Sequence, residues 1–393
     1  MLLITDNYSL SAGGAENYFF ELKKRLEAEP TLAIFSLGFG EKPSHSPTTL
    51  ILKKIQSNIK RLLWQIVFHP LVYFRIRQFI KAVQPDVIHL HNVKQYTFTL
   101  FLALRHYRVI QTIHDYGAVC PTAHNIHRDL RPCATGWRRA CFWQHQVKFN
   151  RIIYLAQTCV HVLTQYLQKK FVQLCFAPSP ELVTYLTHHQ FSQPHYIPPF
   201  KKNLGLPQFN LIEPNHFFFA GQLGAHKGIF QLVKEFAQAY QSRPFLKLTI
   251  AGEGASKGKL KKLIHALKMQ KNIHLIGWQP CLNDYYQRAC AVIFPSVWME
   301  AFGLIMMDSM LQGRPVIGSN RGSPTWLIEE GVTGLIFDPS EVGSLAKKII
   351  WLADHPETIK PFGLAGYAKI QKLIDNETTI QQIITHYQNI AAH

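Results

Sequence analysis

Phe294-Pro295-Ser296, then Glu300-Ala301-Phe302-Gly303-Leu304, Asp308 and Gly313-Arg314-Pro315-Val316-Ile317, is the run from which the fold of this chain can be read. An apolar strand ending in Pro-Ser leads into a loop acid, and a helix is expected from Gly303 to Gln312. That helix would open with free N–H groups and a positive dipole end, a setting suited to a diphosphate. Glu300 sits just before it and Asp308 lies inside it, so both carboxylates can border one ligand. Gly313 supplies a left-handed C-terminal residue, and Pro-Val-Ile restarts a strand.

Outward from that run, apolar strands and amphipathic helices alternate along all 393 residues. Leu2 to Thr5, Leu32 to Leu37, 85–91, 109–115 and Phe171 to Phe176 read as strands of a first half, with Glu16 to Ala28 the clearest helix. A polar linker through Pro214 separates it from a second half. Strands are expected there at 217–221, 246–251, 273–276 and 291–294, followed by a terminal helix from Thr379 to His393. Helices between strands imply parallel pairing. The fold class is α/β, with two doubly wound Rossmann-like domains facing across a cleft and ligand at the carboxyl ends of strands. Residues 1–200 form the first domain and 201–372 the second, with 373–393 a helix returning to the first.

Composition fits a folded, two-domain chain: 47% hydrophobic and 17% charged residues, with no disorder signature. Lys and Arg outnumber Asp and Glu by 42 to 24, a formal charge of +18, which favours anionic partners. No nucleic-acid motif accompanies that charge, and none is expected as a partner. No signal peptide and no membrane-spanning run are read from the sequence, so the expected location is cytoplasmic, peripheral to a membrane at most. The basic stretch 53–81 is read as helical, with Leu62, Leu63, Trp64, Ile66 and Phe68 between its cations. It would suit an acidic membrane surface, and a solvated helix face explains it equally well.

Three glycine- and histidine-bearing segments carry the remaining chemistry. Gly221-Gln222-Leu223-Gly224-Ala225-His226-Lys227-Gly228 follows a strand and can bring an ammonium to a phosphate. Gly13-Gly14-Ala15-Glu16 follows the first strand and lets backbone approach a ligand. His91-Asn92 and His114-Asp115 end two strands, where an imidazole can bond a sugar hydroxyl or satisfy a local backbone group. His89 is expected on the opposite face from His91, as a packing residue. Trp278 after Gly277 could stack on a base or pack in the core. Cys120, Cys133 and Cys141 with His124, His127 and His145 lack any C-x2-C pair, so no metal is expected.

Together these segments resemble glycosyltransferase family 4. Glu300 and Asp308 fall at the E-x7-E spacing, Gly221–Gly228 resembles its G-R-L-x-x-x-K-G segment, and Gly13-Gly14 its G-G-x-E. Gln222 replaces the usual Arg, Asp308 the usual Glu, and Thr325 the acid that commonly follows Gly-x-Pro. The resemblance implies the GT-B fold and retaining, metal-independent transfer from a nucleotide-diphosphate sugar to a glycan or lipid-linked acceptor, in cell-surface glycan, polysaccharide or lipopolysaccharide synthesis. It implies no cofactor beyond the donor. Lys227, Glu300 and His114 would be catalytic. Gly13, Gly14, Gln222, Gly277, Trp278, Phe302, Gly303, Leu304 and Asp308 would border the donor, and Gly14, His91 and Asn92 the acceptor. The three departures leave a second reading open: a catalytically weakened relative acting as a glycan- or nucleotide-binding, membrane-associated scaffold.

Overall fold

The structure, a computed structural model, describes residues 1–9, 13–127, 131–133, 141, 151–201 and 205–392. The chain divides into two compact units. One draws on Met1–Asn125, Ala134–Lys201 and Ile374–His393, the other on Ile126–Cys133 and Lys202–Leu373. Ile126–Cys133, expected in the N-terminal domain, thus groups with the second unit. It closes locally through an Ile126–Pro132 bridge and a bond from His127 N to Arg131 O.

The first unit is built on an eight-stranded sheet: β1 (Leu2–Thr5), β2 (Phe35–Gly40), β3 (Ser44–His45), β4 (Thr49–Lys53), β5 (Val87–His91), β6 (Arg108–Thr112), β7 (Leu174–Ala177) and β8 (Pro194–Tyr196). Its order is β3-β4-β2-β1-β5-β6-β7-β8, parallel except for the short β3–β4 pair. The terminal helix, Asn376–Ala392, buries Ile380, Ile383, Ile384 and Tyr387 among Leu3, Phe19, Ile110 and Phe176 of this unit.

The second unit has β9 (His216–Ala220), β10 (Lys247–Ala251), β11 (Ile273–Gly277), β12 (Ala291–Phe294), β13 (Val316–Ser319) and β14 (Gly334–Phe337). They pair in parallel in the order β11-β10-β9-β12-β13-β14, the doubly wound pattern. β9 shows why such a strand is apolar throughout. Phe217 and Phe219 enter one core layer with Phe236, while Phe218 enters the opposite layer with Tyr286 and Val292. In both units the topological switch point, where crossovers change direction, lies beside the first strand: between β1 and β5, and between β9 and β12.

Local differences from the sequence expectations have local causes. The second strand starts at Phe35, because Leu32 belongs to a turn closed on Glu29 O. The helix before β7 runs through Phe171, so that strand starts at Leu174. The basic stretch does not begin as a helix. Lys53 ends β4, whose Thr49–Lys53 pairs with β2, and the ammonium of Lys54 reaches Asn7 Oδ1 at 3.0 Å. Helices follow at Asn58–Ile66 and Pro70–Val83. Among the described residues no helix is long and apolar enough to cross a membrane.

Arg314, inside the deciding run, is fully buried and bonded to backbone carbonyls. Its guanidinium donates to the carbonyls of Tyr286, Gln287, Gln208 and Gly313 and lies 5.3 Å from the Phe209 ring centre. Burial lowers its pKa to about 10, and the nearby Cys290 acts in the opposite sense. It thereby ties the segment preceding β9 to the helix Asn283–Arg288 and the Gly313 turn. Arg314→Met should therefore leave several carbonyls without donors and cost roughly 3 kcal/mol, read as a lowered urea midpoint of the second unit. An unchanged midpoint would show that the four bonds are replaceable by water.

Candidate functional site

At the switch point of the second unit, the loop after β9 and the loop after β12 are pressed together. Gly228 has a left-handed φ of 70°, and a Cβ there would lie 1.7 Å from the carbonyl oxygen of Pro295. Only glycine permits that approach. Val297 N donates to His226 O at 3.0 Å across the same contact. The result is that Lys227 Nζ meets Glu300 Oε1 at 2.6 Å.

Glu300 is 6% exposed, and the same oxygen also accepts from Ser296 Oγ at 2.6 Å and from the indole N–H of Trp298. Burial pushes its pKa up. The Lys227 ammonium and these donated bonds outweigh burial and hold it below the usual carboxylate value. Lys227 Nζ also stands 4.7 Å from the Trp298 ring centre, whose ring in turn lies 4.5 Å from His226. Gly303, at φ 85°, opens the helix Leu304–Leu311, shorter by one residue at each end than expected. Met306 N bonds back to Gly303 O at 2.9 Å, and no side chain caps that start among the described residues, as a helix end that can receive a ligand requires.

Lys227, Glu300 and the Gly303 helix start thus come together, joined by Ser296, Trp298 and His226. The loop position of Trp298, two residues before the acid, was the available signal for it. The other second-unit candidates are placed differently. Asp308 is half-buried, and its charge, after burial itself, raises the pKa of the buried Tyr286 hydroxyl. Gln222 is exposed, and Trp278, after the left-handed Gly277 at the end of β11, is 66% exposed. Thr325 turns its hydroxyl onto Gly322 O at 2.8 Å.

In the first unit, the corresponding switch point has His91, Asn92 and His114 at or just after the ends of β5 and β6, and Gly13 and Gly14 at the start of the helix that follows β1. Gly13 precedes the helix Gly14–Glu27. His91 Nδ1 lies 3.2 Å from His114 Nε2, so the two rings share one proton, and His91 Nε2 has no partner among the described residues. His89 corrects the sequence reading: residues two apart on a strand share a face, and its ring centre is 4.2 Å from that of His91. It is buried, bonded to Tyr387 Oη at 2.7 Å and Thr112 Oγ1 at 2.8 Å. Burial, followed by the neighbouring imidazole of His114, lowers the His89 pKa to about 3. Burial likewise brings His114 to about 4, and sets His91 well below its usual value.

Sequence reasoning overlooked Asp6. Its buried carboxyl accepts from Lys94 N at 2.6 and 2.7 Å and from Gln95 N at 3.0 Å, and fixes the loop after His91-Asn92. Burial pushes it up to about 7. Cys120 is buried with its sulfur 3.3 Å from Thr122 Oγ1, and His145 lies outside the described residues. Among the described residues no three His, Cys, Asp or Glu side chains are gathered as a metal site.

Two Rossmann-like units with loops converging at their switch points define the GT-B class of transferases. Family comparison carries the assignment further. The model for "Glycosyltransferase Family 4" matches residues 12–200 and that for "Glycosyl transferases group 1" residues 207–369. The chain belongs to the family 4 type of glycosyltransferases.

Among curated relatives, D-rhamnosyltransferase WbpZ of Pseudomonas aeruginosa is 29% identical over 164 residues, 41% of this chain and 42% of WbpZ. A D-inositol 3-phosphate glycosyltransferase of Arthrobacter is 32% identical over 179 residues, 44% of this chain and 41% of the relative. The chain spans less than half the length of each. Crystal structures of Anabaena HepE in complex with UDP (TM-score 0.71, 17% identity, 99% of this chain and 100% of HepE) and of sucrose-phosphate synthase from Thermosynechococcus elongatus (TM-score 0.73, 18%, 100% and 99%) share the fold.

The buried histidines make the first unit sensitive to acid. Each titrates near 6.5 when unfolded and lower when folded, so the unfolded chain binds more protons below 6.5 and stability falls as the pH drops toward 4. Asp6 acts with the opposite sign, stabilising below its raised value, so the comparison needs a variant that retains it. His89→Gln keeps polar atoms without titrating. The stability of the wild type relative to this variant should fall by up to about 1.4 kcal/mol per pH unit between pH 6.5 and 4, measured by chemical denaturation. A difference that does not change with pH would refute the buried neutral imidazole.

Proposed function

We propose that this protein is a retaining, metal-independent glycosyltransferase that moves a sugar from a nucleotide-diphosphate donor to a hydroxyl of a glycan or lipid-linked acceptor in cell-surface polysaccharide or lipopolysaccharide synthesis. The observation that carries this reading is the Lys227–Glu300 pair at the second unit's switch point, directly before an uncapped helix start. An ammonium beside a helix N-terminus is the arrangement a leaving diphosphate needs. Glu300 and the amides of Phe302, Gly303 and Leu304 are assigned to sugar hydroxyls, and Asp308 to the ribose. Gln222, Gly277 and Trp278 are assigned to the nucleotide.

His114 is assigned to a hydroxyl of the transferred sugar, for which a neutral imidazole is suited as donor and acceptor. Gly13 and Gly14 are assigned to the donor phosphate, and His91 and Asn92 with Gly14 to the acceptor. In transfer, the bond from the sugar's anomeric carbon to the diphosphate oxygen breaks. A bond to the acceptor oxygen forms on the same face, and the acceptor's proton passes to the departing phosphate. Exposed Cys159 and Cys281 and buried Cys175 and Cys290, all free thiols, fit a cytoplasmic location. The UDP bound by HepE makes uridine diphosphate sugars the first donors to try.

Nucleotide binding is tested by melting the protein with UDP, GDP and ADP and their sugars, and transfer by nucleotide release. One nucleotide should raise the melting point. Lys227→Ala should abolish that shift, and Glu300→Gln should lower turnover on the order of a hundredfold or more. No shift with any nucleotide would sink the donor reading. A shift without turnover, unaffected by either substitution, would favour the binding-only scaffold.

A further inference from the structure

Between residues 42 and 85 the chain carries eight Lys or Arg and no Asp or Glu. The structure shows what this acid-free segment presents. In the helix Asn58–Ile66 no residue is fully buried, and Ile59, Leu63 and Ile66, spaced by four and three, share one exposed face. Phe68 continues it through the turn. In the next helix, Pro70–Val83, Val72, Ile76, Phe79 and Ile80 fill the core, while Leu71 and Phe74 face outward beside Arg75 and Lys81. Ile59 is 77% exposed, Leu71 72% and Phe74 66%. Large apolar side chains exposed this densely along 59–74 call for a covering partner. The charge around them points to an anionic partner: exposed Lys60, Arg75 and Lys81 accompany the apolar residues, and the segment has no carboxylate.

We propose that this pair of helices docks the protein on the surface of an anionic phospholipid bilayer, its apolar residues entering the headgroup boundary and its cations meeting lipid phosphates. The surface is joined to the candidate acceptor segment inside the same unit. Trp64 lies 4.5 Å from the His69 ring, His69 lies 5.2 Å from Tyr96, and Ile55 N donates to Gln95 Oε1 at 3.1 Å. Gln95 and Tyr96 are in the loop that Asp6 fixes after His91-Asn92. Docking therefore sets that loop close to the bilayer, where an acceptor hydroxyl carried on a lipid would be presented. The last step rests on the proposed transfer reaction; the docking itself does not.

The test is sedimentation of the full chain with vesicles of phosphatidylcholine alone or mixed with phosphatidylglycerol. Binding should appear only with the mixed vesicles and weaken as salt is raised. Leu71→Glu with Phe74→Glu, and separately Lys60→Glu with Arg75→Glu, should each reduce it by at least about tenfold. All four positions are exposed, and an unchanged melting curve confirms that the variants fold. Equal binding to both vesicle types, no binding to either, or undiminished binding by the variants overturns the proposal. So does a wild-type dimer that Leu71→Glu converts to monomer, since a second copy would then cover this face. The nucleotide-dependent melting shift, measured on the same variants, should stay at its wild-type value and keeps failure of this surface distinct from failure of the donor site.

Discussion

A carboxylate removed from water either finds donors or takes up a proton. Glu300 finds three on one oxygen, and the architecture of the second unit's switch point follows from supplying them. Lys227 is delivered by the loop after β9, which can lie on the Pro295 carbonyl because Gly228 has no Cβ. Ser296 is delivered by the end of β12, where its own carbonyl accepts from Ser319 Oγ at 2.6 Å. The backbone of Glu300 is gripped in turn, its N–H bonded to Arg321 O and its carbonyl to Ser323 N. β9, β12 and β13 therefore all send a loop to a single side chain.

The same pairing governs how a ligand would enter. A buried ion pair contributes little net stability, because desolvation of both charges offsets their attraction, yet removing one partner leaves the other uncompensated. A diphosphate approaching Lys227 replaces a carboxylate with another anion, so the ammonium stays matched while Glu300 keeps its bonds from Ser296 and Trp298. The carboxylate is then partly released toward neutral hydroxyls. Under the proposed reaction, donor binding thus redistributes hydrogen bonds already present.

Much of this was legible because the decisive elements are local. The strand, acid, glycine and helix of residues 294–317 lie within two dozen positions, and each residue type has one dominant structural use there. Relations across the sequence were not legible. The hydroxyl of Tyr387 meets His89 across 298 positions, and nothing near either residue signals it. Asp6 reads as an ordinary strand-end acid until β1 pairs with β5 and brings Lys94 and Gln95 to it. The parity of His89 was available from strand geometry alone. Its partners were not, because they depend on where the terminal helix packs.

The two switch points differ in electrical character, and the difference follows from what surrounds each. In the second unit a buried carboxylate is held ionised by an adjacent ammonium, so the site carries full charges of both signs. In the first, the buried imidazoles of His89 and His91 and the half-buried one of His114 stand against one another and against Tyr18, Phe19 and Phe176, where a proton on one would repel any on the next. Such a cluster stays neutral across the physiological range, and a neutral imidazole pair sharing one proton leaves donor and acceptor atoms without net charge. Full charges match a diphosphate, whose recognition gains from Coulomb attraction. Neutral, fixed ring nitrogens match hydroxyl groups, for which a net charge would add desolvation cost without adding geometry. That contrast accords with the roles proposed for the two sites, a diphosphate beside Lys227 and hydroxyls beside the ring nitrogens, while the more exposed Lys94–Asp115 pair, 3.6 Å apart, supplies the charges that border His114.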